Sequence, residues 1–480
     1  MSVAINERPI QGAVPPRFSH TLLAAPILPT LVRLSLPNMM AMVASALVAV
    51  AETGYVGYLG TPSLAGLALV FPMVMLMTMM SSGAMGGGVS SAISRALGAN
   101  LEARASALAM HALVIGSIAG IGSTIFMLTL APTIYAALGG RGAALEQAVV
   151  YSDVVFLGAL GLWLTNTLAS VVRGGGNMKV PSLTLATAAL GQVLIGGGLG
   201  LGLGPLPRLG MAGIALGLVT TTSSAAIFLL WYLVSGRARV RLDFRAFSLD
   251  RALFGDILKV GAVACLSPLQ TVLTVLVVTR LVSVFGTEAL AGYGIGARLE
   301  FLLIPIAFGI GVACVPMVGM AIGAGQVARA RRVAWTGGML SAGLVGAVGM
   351  IVAVFPESWA GLFTREPAVQ AAAHAYFSWV GPCYPLYGLG LCLYFASQGA
   401  GRVLGPVLAG TLRLAMVAGI GWWLTTWPIS AQAPVWAMFA LVGAAMAVFG
   451  VATAAAIYFV SWEPQRGGEI VEGKASGVAP

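Results

Sequence analysis

Long apolar runs, broken at short polar loops, dominate the whole chain. Cutting these runs at charged residues and at Gly/Pro turns predicts twelve membrane-spanning helices. The predicted spans are 34–58, 63–92, 106–130, 148–172, 180–203, 210–235, 258–285, 289–320, 334–355, 370–397, 404–426 and 434–461. The runs are continuous rather than alternating, which favours helices over the strands of a membrane β-barrel.

The composition supports a polytopic membrane protein. Of the 480 residues, 59% are hydrophobic and only 8% are charged, and the mean hydropathy is +0.95. These values exclude a soluble enzyme. The 64 glycines fit close packing between membrane helices, because small residues let two backbones approach.

The basic residues fall mainly in the loops on one side of the predicted membrane. By the positive-inside rule this side is cytoplasmic, so we expect an inner-membrane protein with both termini in the cytoplasm. The net charge of +10 is then a topology signal rather than a nucleic-acid site. The predicted division is an N-terminal segment, two lobes joined by a cytoplasmic linker, and a C-terminal tail, at 1–33, 34–235, 236–256, 257–461 and 462–480.

The two halves of the chain repeat one another. The segment LGTPSLAG at 59–66 resembles FGTEALAG at 285–292, and ALGAN at 96–100 resembles AIGAG at 321–325. GGGNMKVP at 174–181 likewise resembles GAGRVLGP at 399–406, so all three matches share an offset of 225 or 226 residues. Equivalent basic loops fall on one side, which predicts two parallel repeats of six helices around a central cleft.

Glu52 interrupts an otherwise uncharged stretch. Ser35 to Ala51 carries no charge, and Thr53 to Ser94 is uncharged again. An acid inside or at the edge of a bilayer is costly to ionise, so Glu52 is a candidate functional group. A solvated acid at the outer mouth of the first span is the alternative.

Several segments together resemble the multidrug and toxic compound extrusion family. They are LPNMMAMVASALVAVAETGYVGYLG in the first span, RALGAN and RGGGNMKVP in the first half, and AIGAGQVARARR and QGAGRVLGP in the second. The resemblance covers about residues 30 to 460 and is closer to the DNA-damage-inducible-like branch. It implies an antiporter, driven by H⁺ or Na⁺, with a polyspecific cavity between two lobes.

The resemblance also implies roles for individual residues. The family's first-helix carboxylate falls on Glu52, and the family's first-helix proline falls on Pro37, where a helix would bend. Thr53 is a neighbouring supporting position. Asn166 falls on a polar position of the fourth helix and could bond a carboxyl group, although joining two helices is an equally simple role.

The fifth span departs from the family pattern. The family's asparagine and aspartate fall on Leu194 and Gly198 here. Because Na⁺ needs about five or six oxygen ligands, we expect H⁺ as the coupling ion, with Na⁺ as the alternative.

A second acid, Glu300, lies in the eighth predicted span, two residues after Arg298. It falls on an acidic position that resembles the family's, so we predict a second proton-coupling group with Arg298 in the cavity. Two residues apart on a helix point to different faces, so each charge needs its own partner. The alternative is a structural ion pair between Glu300 and Arg280 or Arg413.

The sequence thus predicts a monomeric, proton-coupled exporter of amphipathic, cationic small molecules, with membrane lipids as its surroundings. We expect no cofactor, no metal and no nucleic-acid partner. A lipid or oligosaccharide-lipid flippase is the alternative within the superfamily, and a membrane-embedded transferase is the alternative from another class. We predict that the four cysteines are buried structural thiols. The methionine run from Phe71 to Met85 suits either varied apolar ligands or a lipid-facing surface.

Overall fold

The computed structural model describes residues 22–244, 248–426 and 434–462, and within these ranges the regular structure is helical. The helices of the first half, in chain order, are Ile27–Gly57, Thr61–Met79 continuing through a π-helical turn Met80–Met85 into Gly86–Gly98, Glu102–Ala137, Gly142–Leu157, Ala159–Gly174, Lys179–Leu201 and Gly210–Val234. Each of the first six predicted spans is therefore present as a helix or a pair of helices.

The second half repeats this order. Its helices are Arg251–Ala264, Leu266–Val282 with a 3₁₀ turn Ser283–Phe285, Thr287–Gly323, Val327–Val354, the short Glu357–Ala360, Pro367–Val380 with a 3₁₀ turn Gly381–Cys383, Tyr384–Gly399, Leu404–Thr426 and Val435–Phe459. Ten spans of the described chain are single helices, or continuous helical stretches, long and apolar enough to cross a membrane, and 142–174 is an eleventh with a 49° bend. The segment 367–399 stands in the tenth position and is built from two shorter helices.

Several helices begin before the predicted membrane boundary. The first span begins at Ile27 rather than at 34, and the seventh begins at Arg251 rather than at 258, inside the predicted linker. The predicted bounds mark the apolar runs, which charged residues end, whereas the helices continue past those charges. A charged residue at the membrane surface does not end a helix, since Arg and Lys are good helix formers. Asp250 also caps the seventh span by accepting from the Ala252 N–H at 2.8 Å.

The same pairs of helices pack together in both halves. In the first lobe the first span packs on the fifth, the fifth on the sixth, the third on the fourth, and the fourth on the sixth. In the second lobe the seventh packs on the eleventh, the eleventh on the twelfth, the ninth on the tenth, and the tenth on the twelfth. The predicted six-plus-six repeat is confirmed by this correspondence.

The two lobes meet where the second and eighth spans end. A Cβ atom placed on Gly98 would lie 2.2 Å from the Met320 carbonyl oxygen, and one on Gly323 would lie 2.1 Å from the Arg95 carbonyl oxygen. These repeat-related glycines therefore lie on the same face of the protein, as parallel repeats require. We call this contact between residues 95–98 and 320–323 the glycine contact.

Burial follows the contact between the lobes. In Gly86–Gly98 every residue except Arg95 is buried, and every residue from Ala307 to Ile322 is buried. In the preceding Thr61–Met79 only Ser63, Gly66, Val70 and Met77 are buried. The lobes are thus joined through the C-terminal halves of these two spans, and the N-terminal halves leave space for a cleft.

Glycine also lets the fifth and sixth spans touch through their backbones. A Cβ atom on Gly217 would lie 2.4 Å from the Gly196 Cα, whereas one on Gly419 has no atom within 4 Å. We expect Gly217→Ala to lower the free energy of unfolding by about 1–3 kcal/mol, as overpacking does. Gly419→Ala should raise it slightly, because Ala is the better helix former. Thermal unfolding of the purified protein in detergent measures both, and equal melting temperatures for the two variants would contradict this packing.

Candidate transport sites in the two lobes

Glu52 lies between three helices of the first lobe. It belongs to the last two turns of the first span, and its side chain is buried, with 8% exposed. The Tyr151 O–H donates to Oε1 at 2.6 Å from the fourth span, and Gln192 Nε2 donates to Oε2 at 3.2 Å from the fifth. Both carboxyl oxygens therefore have a partner, so Glu52 is not the solvated acid of the alternative interpretation.

The sequence analysis identified neither Tyr151 nor Gln192. Alignment with the family placed the polar positions of the fifth span at Leu194 and Gly198, but Leu194 is 67% exposed and Gly198 faces Leu206. Gln192 faces the first span through its bond to Glu52, and one turn later Gly196 lies between the sixth span and Tyr55 of the first. The fifth span therefore does supply a polar group to Glu52, as an amide rather than an acid.

Pro37 and Thr53 lie apart from this cluster. The first span continues as one helix through Pro37, fifteen residues before Glu52. The Thr53 side chain is exposed, and its hydroxyl donates to the Ala49 carbonyl of its own helix at 2.8 Å. The structure thus does not bring the Thr53 hydroxyl to Glu52.

Asn166 joins two helices of the first lobe. It is 6% exposed, and its Nδ2 donates to the Ser81 Oγ at 2.8 Å. Ser81 belongs to the π-helical turn of the second span, and such turns often occur at functional sites. The Asn166 amide therefore holds this turn against the fourth span, and its bond goes to Ser81 rather than to Glu52.

Glu300 lies in the second lobe and accepts a short hydrogen bond from the Tyr376 O–H. Tyr376 is the repeat counterpart of Tyr151, at the same offset of 225 residues. The acids are not counterparts, because Glu52 is on the first span and Glu300 is on the eighth. In each lobe one acid thus accepts a hydrogen bond from the equivalent tyrosine, but the two acids lie on helices that do not correspond in the repeat.

The three arginines considered as partners of Glu300 occupy different environments. Arg298 is exposed, and its guanidinium lies 5.0 Å from the centre of the Phe363 ring, while Arg280 is also exposed. Arg413 is 9% exposed, and its guanidinium lies 5.1 Å from the centre of the Tyr387 ring. Arg413 lines the same cavity as Glu300, whereas Arg298 lines neither of the two cavities described below, and its role in a cavity stays a prediction.

Two adjoining cavities lie in the second lobe. The larger, with about 730 Å³ of unfilled space including solvent at its open mouth, is walled on one side by Met79, Gly83 and Ala84 of the first lobe. Its remaining lining residues are Ser267, Pro268, Gln270, Thr271, Thr274, Ile304, Phe308, Tyr387, Leu391, Tyr394, Phe395, Gly410, Arg413 and Phe449. The smaller encloses about 300 Å³ and includes Glu300, Tyr293, Thr274 and Arg413. Met79 is the one methionine of the run from Phe71 to Met85 that lines either described cavity.

The tyrosine–carboxyl pairs suit a change of protonation without a change of partner. A phenol O–H donates to an ionised carboxylate, and the same phenol oxygen accepts from a protonated carboxyl group. Both states of Glu52 and of Glu300 can therefore keep one hydrogen bond. The four cysteines are free thiols, with Cys314 and Cys392 buried and Cys265 and Cys383 half-buried.

Comparison with known proteins agrees with this architecture. A MatE family profile matches residues 37–196 and 263–423, which is more than half of the chain and one segment in each lobe. The chain is 28% identical to the FAD transporter of Shewanella oneidensis, over 79% of this chain and 83% of that protein. It is 25% identical to the multidrug export protein MepA of Staphylococcus aureus, over 81% of this chain and 86% of MepA.

Solved structures show the same fold. A superfamily transporter from Pyrococcus furiosus matches with a TM-score of 0.82 and 24% identity, over 92% of this chain and 98% of that chain. An outward-facing multidrug resistance transporter matches with a TM-score of 0.81 and 24% identity, over 92% and 96%. Members of this family are transporters, so the alternative of a membrane-embedded transferase is wrong. Two lobes of repeated helices, the matches in both halves and these relatives lead to one assignment: the chain belongs to the MATE family of multi-pass membrane transporters.

Proposed function

We propose that this protein is an antiporter that exports amphipathic, cationic small molecules in exchange for protons. The observation that carries the proposal is Glu52, a buried acid held by Tyr151 and Gln192 from two other helices. A carboxyl group in such a place can bind a proton from one side of the membrane and release it to the other. Two relatives, one named a probable multidrug resistance protein and the other a multidrug export protein, support the export of varied compounds.

Alternating access fits the way in which the lobes are joined. The lobes touch at the ends of the second and eighth spans, between the first and eighth spans and between the seventh and second spans, and a cavity lies between the lobes beyond these contacts. By the positive-inside rule the glycine contact lies on the cytoplasmic side, which makes the described state closed to the cytoplasm. Opening at this contact and closing at the other end would carry cargo outward. Inner-membrane location, the monomeric state and closeness to the DNA-damage-inducible-like branch stay predictions.

The coupling ion is tested with purified protein in sealed vesicles. We expect a pH gradient to drive transport of a cationic dye and a Na⁺ gradient alone to drive none. The side chains at this site are the acid Glu52, the phenol of Tyr151 and the amide of Gln192. Na⁺ needs more oxygen ligands than these side chains supply. Accumulation that a Na⁺ gradient drives without a pH gradient would contradict proton coupling.

The cargo is tested with a panel of compounds in the same vesicles. Cationic dyes and drugs come first, since Glu52 is an acid. FAD belongs in the panel because one relative, 28% identical, is named an FAD transporter. Transport of FAD with no transport of cationic compounds would replace the proposed cargo and leave the antiport mechanism to be tested with FAD.

A further inference from the structure

The larger cavity of the second lobe has one ionisable cation and no acid in its wall. Among the described residues that line it, Arg413 is the one charged side chain, and the others, including the phenols of Tyr387 and Tyr394, are neutral. Arg413 is buried, and its Nε has no hydrogen-bond partner among the described residues. A buried guanidinium group with a free donor is costly unless an acceptor meets it.

Glu300 does not neutralise Arg413 by direct pairing. It lines the smaller cavity on the other side of Arg413 and accepts a hydrogen bond from Tyr376. The ion pairs of the described chain, which join nitrogen and oxygen within 4.0 Å, are Arg104–Asp256 and Arg239–Glu102. Arg413 thus stands between the two cavities and presents an incompletely satisfied positive charge to the larger one.

Gln270 supplies the complementary group beside Arg413. Its Nε2 donates to the Thr411 Oγ1 at 2.8 Å, and the Thr411 hydroxyl donates to the Val407 carbonyl at 3.2 Å. Because the Thr411 hydroxyl uses its hydrogen on Val407, it needs a donor from Gln270, which is the amide nitrogen rather than the oxygen. The Gln270 Oε1 is then a buried acceptor without a donor among the described residues. A Cβ on Gly410 would lie 2.3 Å from this oxygen, so glycine makes room for it one turn from Arg413.

We infer that this cavity is a binding site for a flat aromatic molecule that carries an anionic group, a carboxylate or a phosphate. The anion accepts from Arg413, and an O–H or N–H of the ligand donates to Gln270. Phe308, Phe395 and Phe449 form apolar walls for the ring. The inference rests on the proposed export function and extends its cargo from cations to molecules with an acidic group.

The test is equilibrium binding to the purified full-length protein in detergent, with three matched probes. They are 1-naphthyl phosphate, uncharged 1-naphthol and the cation 1-naphthylmethylammonium. We expect the phosphate to bind at least about tenfold more tightly than naphthol, since hydrogen bonds to charged groups have this strength. Arg413→Gln should remove the preference and leave naphthol binding within about twofold of its original value.

Two further variants complete the test. Arg365→Gln removes an exposed loop arginine and should keep the preference for the phosphate. Gly410→Val should weaken all three probes, because it displaces Gln270 and fills the cavity while Arg413 stays. Equal binding of phosphate and naphthol to the unmodified protein, or a preference for the phosphate that survives Arg413→Gln, would each overturn the inference. Binding needs no ion gradient, so a failure of proton coupling in vesicles is distinguished from a failure of this site.

Discussion

Glu52→Gln is expected to fold and insert normally and to lose export driven by a pH gradient. Glutamine has the shape of the neutral acid, and its carbonyl oxygen can still accept from the Tyr151 O–H. The variant amide faces the Gln192 amide, which can rotate to present its oxygen instead. What glutamine lacks is a group that takes up and releases a proton. We expect the pH-driven rate in proteoliposomes to fall at least about a hundredfold, as for loss of an essential proton-transfer group.

The matched control for this prediction is Glu146→Gln. Glu146 lies at the start of the fourth span with an exposed side chain, so this variant makes the same chemical change away from the buried site. It should transport at the normal rate. Glu52→Asp should keep part of the activity, because it retains an acid although the shorter chain lengthens the bond to Tyr151. Normal proton-coupled export by Glu52→Gln would show that Glu52 has no coupling role and would make Glu300 the next candidate.

Gly98→Leu is expected to stop the protein from closing at the glycine contact. The first side-chain atom would already lie 2.2 Å from the Met320 carbonyl oxygen and 2.8 Å from the Met320 Cα. Both are backbone atoms, so a change of rotamer cannot relieve the clash. Overpacking of this kind costs about 1–3 kcal/mol or more, which is enough to shift two conformations of similar free energy by about tenfold.

Two measurements check this second prediction. Export should fall at least about tenfold, because the transport cycle needs the closed state. Spin labels on Leu101→Cys and Gln326→Cys, in a background without native cysteines, should report a longer distance across the contact. Gly294→Leu is the control, since a Cβ there has no atom within 4 Å. Unchanged export together with an unchanged distance would show that this contact does not have to form during transport.

Much of the fold could be predicted from the sequence, because its signals are local. Apolar length marks each span, basic loops mark one face, and three short segments at one offset reveal the repeat. The breaks inside spans could not be predicted in this way. The bend after Leu157 and the π-helical turn at Met80–Met85 depend on the packing of neighbouring helices, and no proline marks either position.

The candidate site was less predictable than the fold. Glu52 stands out because it is charged in an apolar run, whereas its partner Tyr151 is uncharged and is one of 11 tyrosines in the chain. The rotation of the fifth span, which turns Gln192 toward Glu52 and Leu194 outward, depends on contacts with the first and sixth spans. One signal was available: Tyr151 and Tyr376 are identical residues at the repeat offset, which would have pointed to both acids.

The position of Arg413 has an electrical consequence. Arg413 lies on a membrane-spanning helix of the second lobe, and Glu300 lies across the smaller cavity from it. When Glu300 is ionised the pair has no net charge, so a shift of the pair within the membrane field moves no net charge. When Glu300 is protonated the pair carries one positive charge, and moving one charge across the whole of a 100 mV potential involves about 2.3 kcal/mol, of which a partial shift involves a fraction. The sensitivity of the transport rate to membrane potential therefore reports the protonation state of Glu300 during the step that moves the lobe.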